Sequence, residues 1–249
     1  DLLGGAAPVS ASAVRAAGHV PLKRPRVDYG MPRPLELAEI PGVIGDYARG
    51  AENALAAGFD GVELHAANAY LIEQFMGDKI NRRTDAYGGS IENRCRLLNE
   101  VVEALITVCG AGRVGVHLSP RMISNDGGDS DPLALFRHAV AGLARRKPAF
   151  LFIREHEAAD SMLAEIKAIF GGIVIANDQF TAQSGEAALR EGRADAVAWG
   201  RAFIANPDLV TRIMTGAAWA EPDPKTFYYA GEGPIEAGYT DYPPLARQG

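Results

Sequence analysis

Three side chains capable of chemistry stand close together at one point of the chain: His65, Asn68 and Tyr70. The run Gly61-Val62-Glu63-Leu64 just before them is short and reads as a buried strand. In parallel β/α proteins ligands meet the C-terminal ends of strands, so the three residues fall where a site is expected. An imidazole and a carboxamide are neutral donors, and together they can hold an oxygen on which negative charge develops. A tyrosine hydroxyl beside them, with an ordinary pKa near 10, stays protonated at neutral pH and can deliver a proton. The spacing leaves another reading open, in which His65 and Asn68 only cap the following turn.

The elements that must position these groups follow from the hydrophobic pattern. Residues 1–34 hold many Pro and Gly and read as irregular. From Leu35 apolar residues recur near a 3.6 period to about residue 57, where Gly58 ends the helix. Five strands are predicted at 61–64, 113–118, 149–153, 172–176 and 194–199. Helices are predicted at 90–108, with Ser90 as N-cap, and at 132–145, 158–170, 182–191 and 207–214. Strands alternating with helices predict α/β architecture with a parallel sheet. The length of 249 residues matches the roughly 250 of a complete (β/α)8 barrel. Yet three further units, at about 30 residues each, cannot fit into the Pro-rich segment before Leu35. The expected organisation is therefore an irregular segment at 1–34, a partial barrel of five units at 35–216, and an irregular tail at 217–249 packing on the barrel.

Composition excludes several classes. Hydrophobic residues make up 47% and charged residues 22%, which suits a folded domain with a sizeable core. The formal charge of -6 provides no basic field for nucleic acid, and the short run Lys23-Arg24-Pro25-Arg26 reads as a solvated loop. No apolar run approaches the ~20 residues of a membrane span, and no secretory leader is visible. The two cysteines, Cys95 and Cys109, are 14 residues apart on one predicted helix, roughly 21 Å at 1.5 Å per residue, and cannot form a disulfide. A reducing, cytoplasmic setting is expected. No Cys/His cluster suggests a metal.

A longer set of motifs adds a resemblance. The stretch 58–65, Gly-Phe-Asp-Gly-Val-Glu-Leu-His, is followed by Tyr70-Leu71 and by 81–94, NRRTDAYGGSIENR. Near the C-terminus come 200–209, GRAFIANPDL, then Thr226-Phe227-Tyr228 and 238–243, GYTDYP. In this order they resemble the old yellow enzyme family of barrel flavoproteins, in wording closest to the bacterial branch acting on enones, nitro compounds and nitrate esters. The resemblance implies a (β/α)8 TIM barrel of which this chain carries the later strands. It implies a non-covalent FMN, NAD(P)H as reductant, and hydride delivery to the β-carbon of an activated alkene. It assigns His65 and Asn68 to the substrate's electron-withdrawing oxygen and Tyr70 to protonation of the α-carbon. It places His117, Asp178, Gln179, Gly200 and Arg201 at the cofactor and Tyr239 in the substrate pocket. The 81–94 run reads as scaffold, with Gly88-Gly89 supplying a turn.

Three departures from the family pattern keep other readings open. The opening three strands precede the region that this chain matches. The strand ending at Leu118 carries His117 where the family has an Arg that contacts flavin, and an imidazole is not a fixed guanidinium fork. The turn after residue 176 reads Asn177-Asp178-Gln179-Phe180, with a carboxylate where the family has a small Gly-containing phosphate turn. A flavin-free homologue is the alternative, acting by acid–base isomerisation or dehydration or as a binding subunit. Five units leave open sheet edges, so completion by an N-terminal segment, a partner chain or a second copy is expected.

Overall fold

A computed structural model describes residues 4–20, 25–121, 127–227 and 234–245. Lys23, Arg24 and Tyr228 lie outside the described residues. Two short strands, β1 (Val9–Ser10) and β2 (Arg33–Pro34), form a small parallel pair. The segment expected to be irregular therefore carries a paired element, too short to show a period in sequence. Helix α1 (Ile40–Ala56) follows a single 3-10 turn and has Pro in its first turn, where a missing N–H costs nothing.

The main sheet contains β3 (Val62–His65), β4 (Val114–Leu118), β5 (Phe150–Arg154), β6 (Ile173–Asn177) and β7 (Ala196–Ala198). All neighbours are parallel, and spatial order equals chain order. Each connection carries helix on the outer side, which is the winding of a β/α barrel. Between β3 and β4 lie α2 (Leu71–Met76), α3 (Ile91–Arg94) and α4 (Arg96–Cys109). After β4 come α5 (Pro132–Arg146), α6 (Leu163–Phe170) and α7 (Ala182–Arg190), and after β7 come α8 (Arg201–Ala205) and α9 (Leu209–Thr215).

Several sequence expectations shift at their edges. The helix expected at 90–108 is interrupted at Cys95; Ser90 caps its first turn by accepting from the Asn93 amide. The helix expected from residue 158 begins at Leu163, because the buried Glu155 carboxylate takes the Met162 amide and the Ser161 hydroxyl and holds a turn there. The helix expected at 207–214 is α9, preceded by the separate α8. Cys95 and Cys109 are both buried free thiols.

Burial divides the sheet by face. Leu64, Val114, Val116, Leu118, Leu151, Ile153, Val174 and Ala176 are buried under the helices. Alternate residues point to the other face. There Glu63, His65 and Ile173 are exposed, while His117, Phe150, Phe152 and Ile175 are half-buried. The core thus lies between sheet and helices, with α1 packed on α4, α4 on α5 and α5 on α6. The concave face is open, and β3 and β7 are the sheet edges among the described residues.

The 81–94 run joins these parts. Arg83 pairs with Asp85 and donates to the carbonyls of Ala11 (3.1 Å) and Leu35 (2.6 Å), tying the N-terminal segment to the barrel. Asn81 donates to the carbonyls of Phe75 and Tyr87. Arg94 is buried against Asp129 and also reaches the carbonyls of Met76 and Gly89. A Cβ at Gly88 would lie 2.1 Å from the Arg83 carbonyl oxygen, so only glycine fits that close approach.

Candidate functional site

The register of the sheet sets the first pair of groups. His65 on β3 is the Cα partner of His117 on β4. Their rings meet edge-on at 4.9 Å, and the two Nδ1 atoms are 3.2 Å apart. One Nδ1 must therefore donate and the other accept. Burial lowers the pKa of both; for His117 burial, then the His65 ring and the Arg154 guanidinium bring it down to about 4. At neutral pH the pair shares one Nδ1 proton. When His117 donates it, Nε2–H of His65 is left as a neutral donor, the form an oxyanion site requires. The Nε2 of His117 is buried with no partner among the described residues.

Asn68 is oriented by a residue that sequence reading passed over. Its Oδ1 accepts from Arg154 at 2.7 Å, which leaves the amide NH2 as the outward donor. Arg154 is the last residue of β5, and inspection of strand ends is the signal that identifies it. Tyr70 stands at the start of α2, more than half exposed, with its ring centroid 5.3 Å from that of His65. It lines a cavity of about 310 Å³ with Val9, Ser10, Tyr29 and Ile80, so the N-terminal segment forms one wall beside it. His65 lines a second cavity of about 450 Å³ with Val43, Tyr47, Glu63 and Leu105, on the open edge of β3.

A third cavity of about 450 Å³ sits over the ends of β5, β6 and β7. It gathers Asp178, Gln179, Gly200 and Arg201, four residues singled out in sequence, together with Arg154, Trp199, Trp219 and Phe227. Asp178 and Gln179 have φ of 91° and 60°, left-handed values that favour glycine. The turn has thus kept a glycine-type path with other residues in it. The amides of Gln179 and Gly200 have no partner among the described residues, and the Arg201 side chain is exposed. Free amides beside a guanidinium suit a phosphate, while the Asp178 and Glu221 carboxylates on the same wall oppose one. His117 is not on this wall; it lies beside His65. Tyr239 is 42% exposed on a turn at 234–240 and lines none of the three cavities.

Part of what an FMN phosphate needs is present at this end of the sheet, the Gln179 and Gly200 amides beside Arg201, while two carboxylates share that wall and the unpartnered His117 Nε2 is buried away from it. No helix among the described residues is long and apolar enough to cross a membrane.

Comparison with known proteins places the fold in a family. The model of the NADH:flavin oxidoreductase / NADH oxidase family matches residues 6–219. A probable flavin mononucleotide-dependent alkene reductase of Leishmania infantum is 45% identical over 221 residues, covering 86% of this chain and 59% of that protein. 12-Oxophytodienoate reductase 2 of Arabidopsis thaliana is 42% identical over 222 residues, covering 86% and 59%. Among solved structures, morphinone reductase in complex with tetrahydroNAD superposes with a TM-score of 0.90 at 43% identity, covering 98% of this chain and 68% of that one. The old yellow enzyme homologue from Zymomonas mobilis gives 0.89 at 39%, covering 96% and 68%. The chain spans about three fifths of the length of the curated relatives it matches. It belongs to the NADH:flavin oxidoreductase / NADH oxidase family, that of the old yellow enzymes, and forms five consecutive strands of their TIM barrel.

Proposed function

We propose that this chain carries the substrate-handling wall of an FMN-dependent NAD(P)H oxidoreductase that reduces activated C=C bonds, such as those of enones. The observation that carries the reading is the orientation of Asn68. Arg154 takes its oxygen, so its NH2 is a preset neutral donor, joined at the same strand end by the Nε2–H of His65 when His117 gives the shared Nδ1 proton. Negative charge builds on the substrate oxygen as the alkene is reduced, and donors already in place stabilise it without reorganisation. FMN, when bound, supplies the hydride that NAD(P)H provides. Arg201 with the amides of Gln179 and Gly200 would hold its phosphate end against the opposing Asp178 carboxylate, and the His117 ring would have to turn its buried Nε2 outward to meet the flavin. Tyr70, beside His65, delivers the proton to the α-carbon. Tyr239 would close the substrate pocket from the tail. The partners are thus small electrophiles, with an N-terminal segment, partner chain or second copy covering the concave face, in a cytoplasmic setting.

The test is made on the product of the intact gene. Purified protein should bind FMN and oxidise NAD(P)H in the presence of 2-cyclohexenone under anaerobic conditions. Tyr70→Phe should lower kcat, and His65→Ala should lower kcat/KM by roughly 10²–10³, the effect of one oxyanion donor. A protein that takes up no FMN would overturn the reading. The Asp178 carboxylate at the phosphate corner would then favour a flavin-free acid–base role for His65, Asn68 and Tyr70.

A further inference from the structure

The turn from β3 into α2 is made by two consecutive left-handed residues that are not glycine, Asn68 (φ 59°) and Ala69 (φ 58°). L side chains avoid this conformation, so surrounding groups must hold it. The Ala69 amide donates to Glu73 Oε2 at 2.5 Å. The Asn68 amide donates to Ser119 Oγ at 2.7 Å. The Ser119 hydroxyl is 3.0 and 3.1 Å from the two Glu73 oxygens, and its one proton is therefore given to the carboxylate. Both strained amides thus end on one carboxylate, one directly and one through a hydroxyl. Gln74 Nε2 adds a bond to the Ala69 carbonyl at 2.8 Å. Glu73 is 6% and Ser119 1% exposed.

We propose that Glu73, acting through Ser119 and the two amides, is the positioning residue that sets where Asn68 and Tyr70 stand, and so governs substrate binding at their site. This rests on the reading of Asn68 and Tyr70 given above. The strain alone needs one acceptor per amide; a carboxylate makes the clamp titratable. Burial pushes the Glu73 acid up to about 7. Lys79, Arg121, Asp129, His156 and Asp160 line the same cavity as Glu73 and Ser119. Of these, Arg121 is paired with Glu155 and Asp160, and Asp129 with Arg94. No ion pair to Glu73 exists among the described residues, so its proton occupancy is set by burial and by the two hydrogen bonds. Protonation turns one oxygen from acceptor to donor and loosens the hold on the turn.

The experiment uses the whole enzyme from the intact gene, as wild type, Glu73→Gln, Ser119→Ala and Ser119→Thr. Hydrogen exchange is followed for peptides covering 66–70, with 132–146 as the fold control. Ser119→Ala should exchange about tenfold faster at 66–70, the size of one hydrogen bond, with the control unchanged. Ser119→Thr should restore protection. With 2-cyclohexenone, Ser119→Ala should lose roughly 10- to 100-fold in kcat/KM while FMN affinity stays within twofold. The wild-type kcat/KM profile should inflect near pH 7, and Glu73→Gln, which keeps an acceptor for Ala69, should remove that inflection. Unchanged exchange in Ser119→Ala, or faster exchange with unchanged kcat/KM, overturns the proposal. An inflection that persists in Glu73→Gln overturns it too. A wild type inactive on enones defeats the functional reading instead, and exchange at 66–70 then still decides whether the clamp exists.

Discussion

The buried pair Arg94–Asp129 offers the sharpest test of how the 81–94 run acts as scaffold. The two side chains are 6% and 1% exposed. Asp129 also accepts from the amides of Asp78 (3.0 Å) and Asp131 (2.9 Å), while Arg94 holds the carbonyls of Met76 and Gly89. The pair thus locks the end of α2, the glycine turn and the start of α5 into one joint. Asp129→Ala removes the acceptor for three donors and leaves a guanidinium buried without its counter-charge. Breaking a buried pair from one side costs about 3–5 kcal/mol. At roughly 2–4 °C per kcal/mol for a chain of this size, the melting temperature should fall by about 6–20 °C. Urea unfolding followed by circular dichroism gives the free energy directly. The double change Arg94→Met with Asp129→Leu should recover at least half of the loss, because no unpaired charge remains. A single variant losing under about 1 kcal/mol, or a double variant worse than either single one, would mean that the buried pair does not hold this joint.

Three further outcomes follow from the same geometry. Glu73 binds its proton more tightly folded than unfolded, with its pKa near 7 against an ordinary 4.5, so stability should fall as pH rises from about 4.5 to 7 and level off above. The loss approaches ~3 kcal/mol, and urea midpoints across pH should be flatter by that amount in Glu73→Gln; an equal slope would contradict it. Asp178→Gly relieves a φ of 91° and removes a carboxylate from the phosphate corner, so FMN should bind at least roughly tenfold tighter by fluorescence titration, and no gain would count against that corner. Gly88→Ala drives a methyl to within 2.1 Å of the Arg83 carbonyl and should cost about 1–3 kcal/mol in thermal unfolding, whereas a neutral result would show that the loop can shift.

The parallel sheet was legible because each strand has one face buried under helices and enough apolar residues to show it. Leu151, Ile153, Val174 and Ala176 mark their strands whatever happens on the concave side. The short elements were not legible. Six residues of α2 and two each of β1 and β2 are below the length at which a period can be read. The site divides in the same way. His65, Asn68 and Tyr70 are neighbours in sequence, so their convergence could be anticipated. Arg154 meets Asn68 across 86 positions and Ser119 meets Glu73 across 46, and only the sheet register brings them together. Glu73 lies on a helix turn where a carboxylate ordinarily faces water, and nothing local shows that it is buried.

Under the function proposed above, the division of the sheet into a sealed outer face and an open inner one has a consequence for how such enzymes diversify. The groups proposed to handle charge and protons are held from behind by the Glu73–Ser119 link and from their own strands by the His117 ring and the Arg154 guanidinium. On that reading the remaining wall of the substrate chamber comes from residues outside these five strands. Chemistry and selectivity are then held by separable stretches of polypeptide. Exchanging the covering stretch between relatives should change which alkenes are accepted while leaving the proton donor and the oxygen-binding pair undisturbed, which makes this half-shell a natural constant part for recombination.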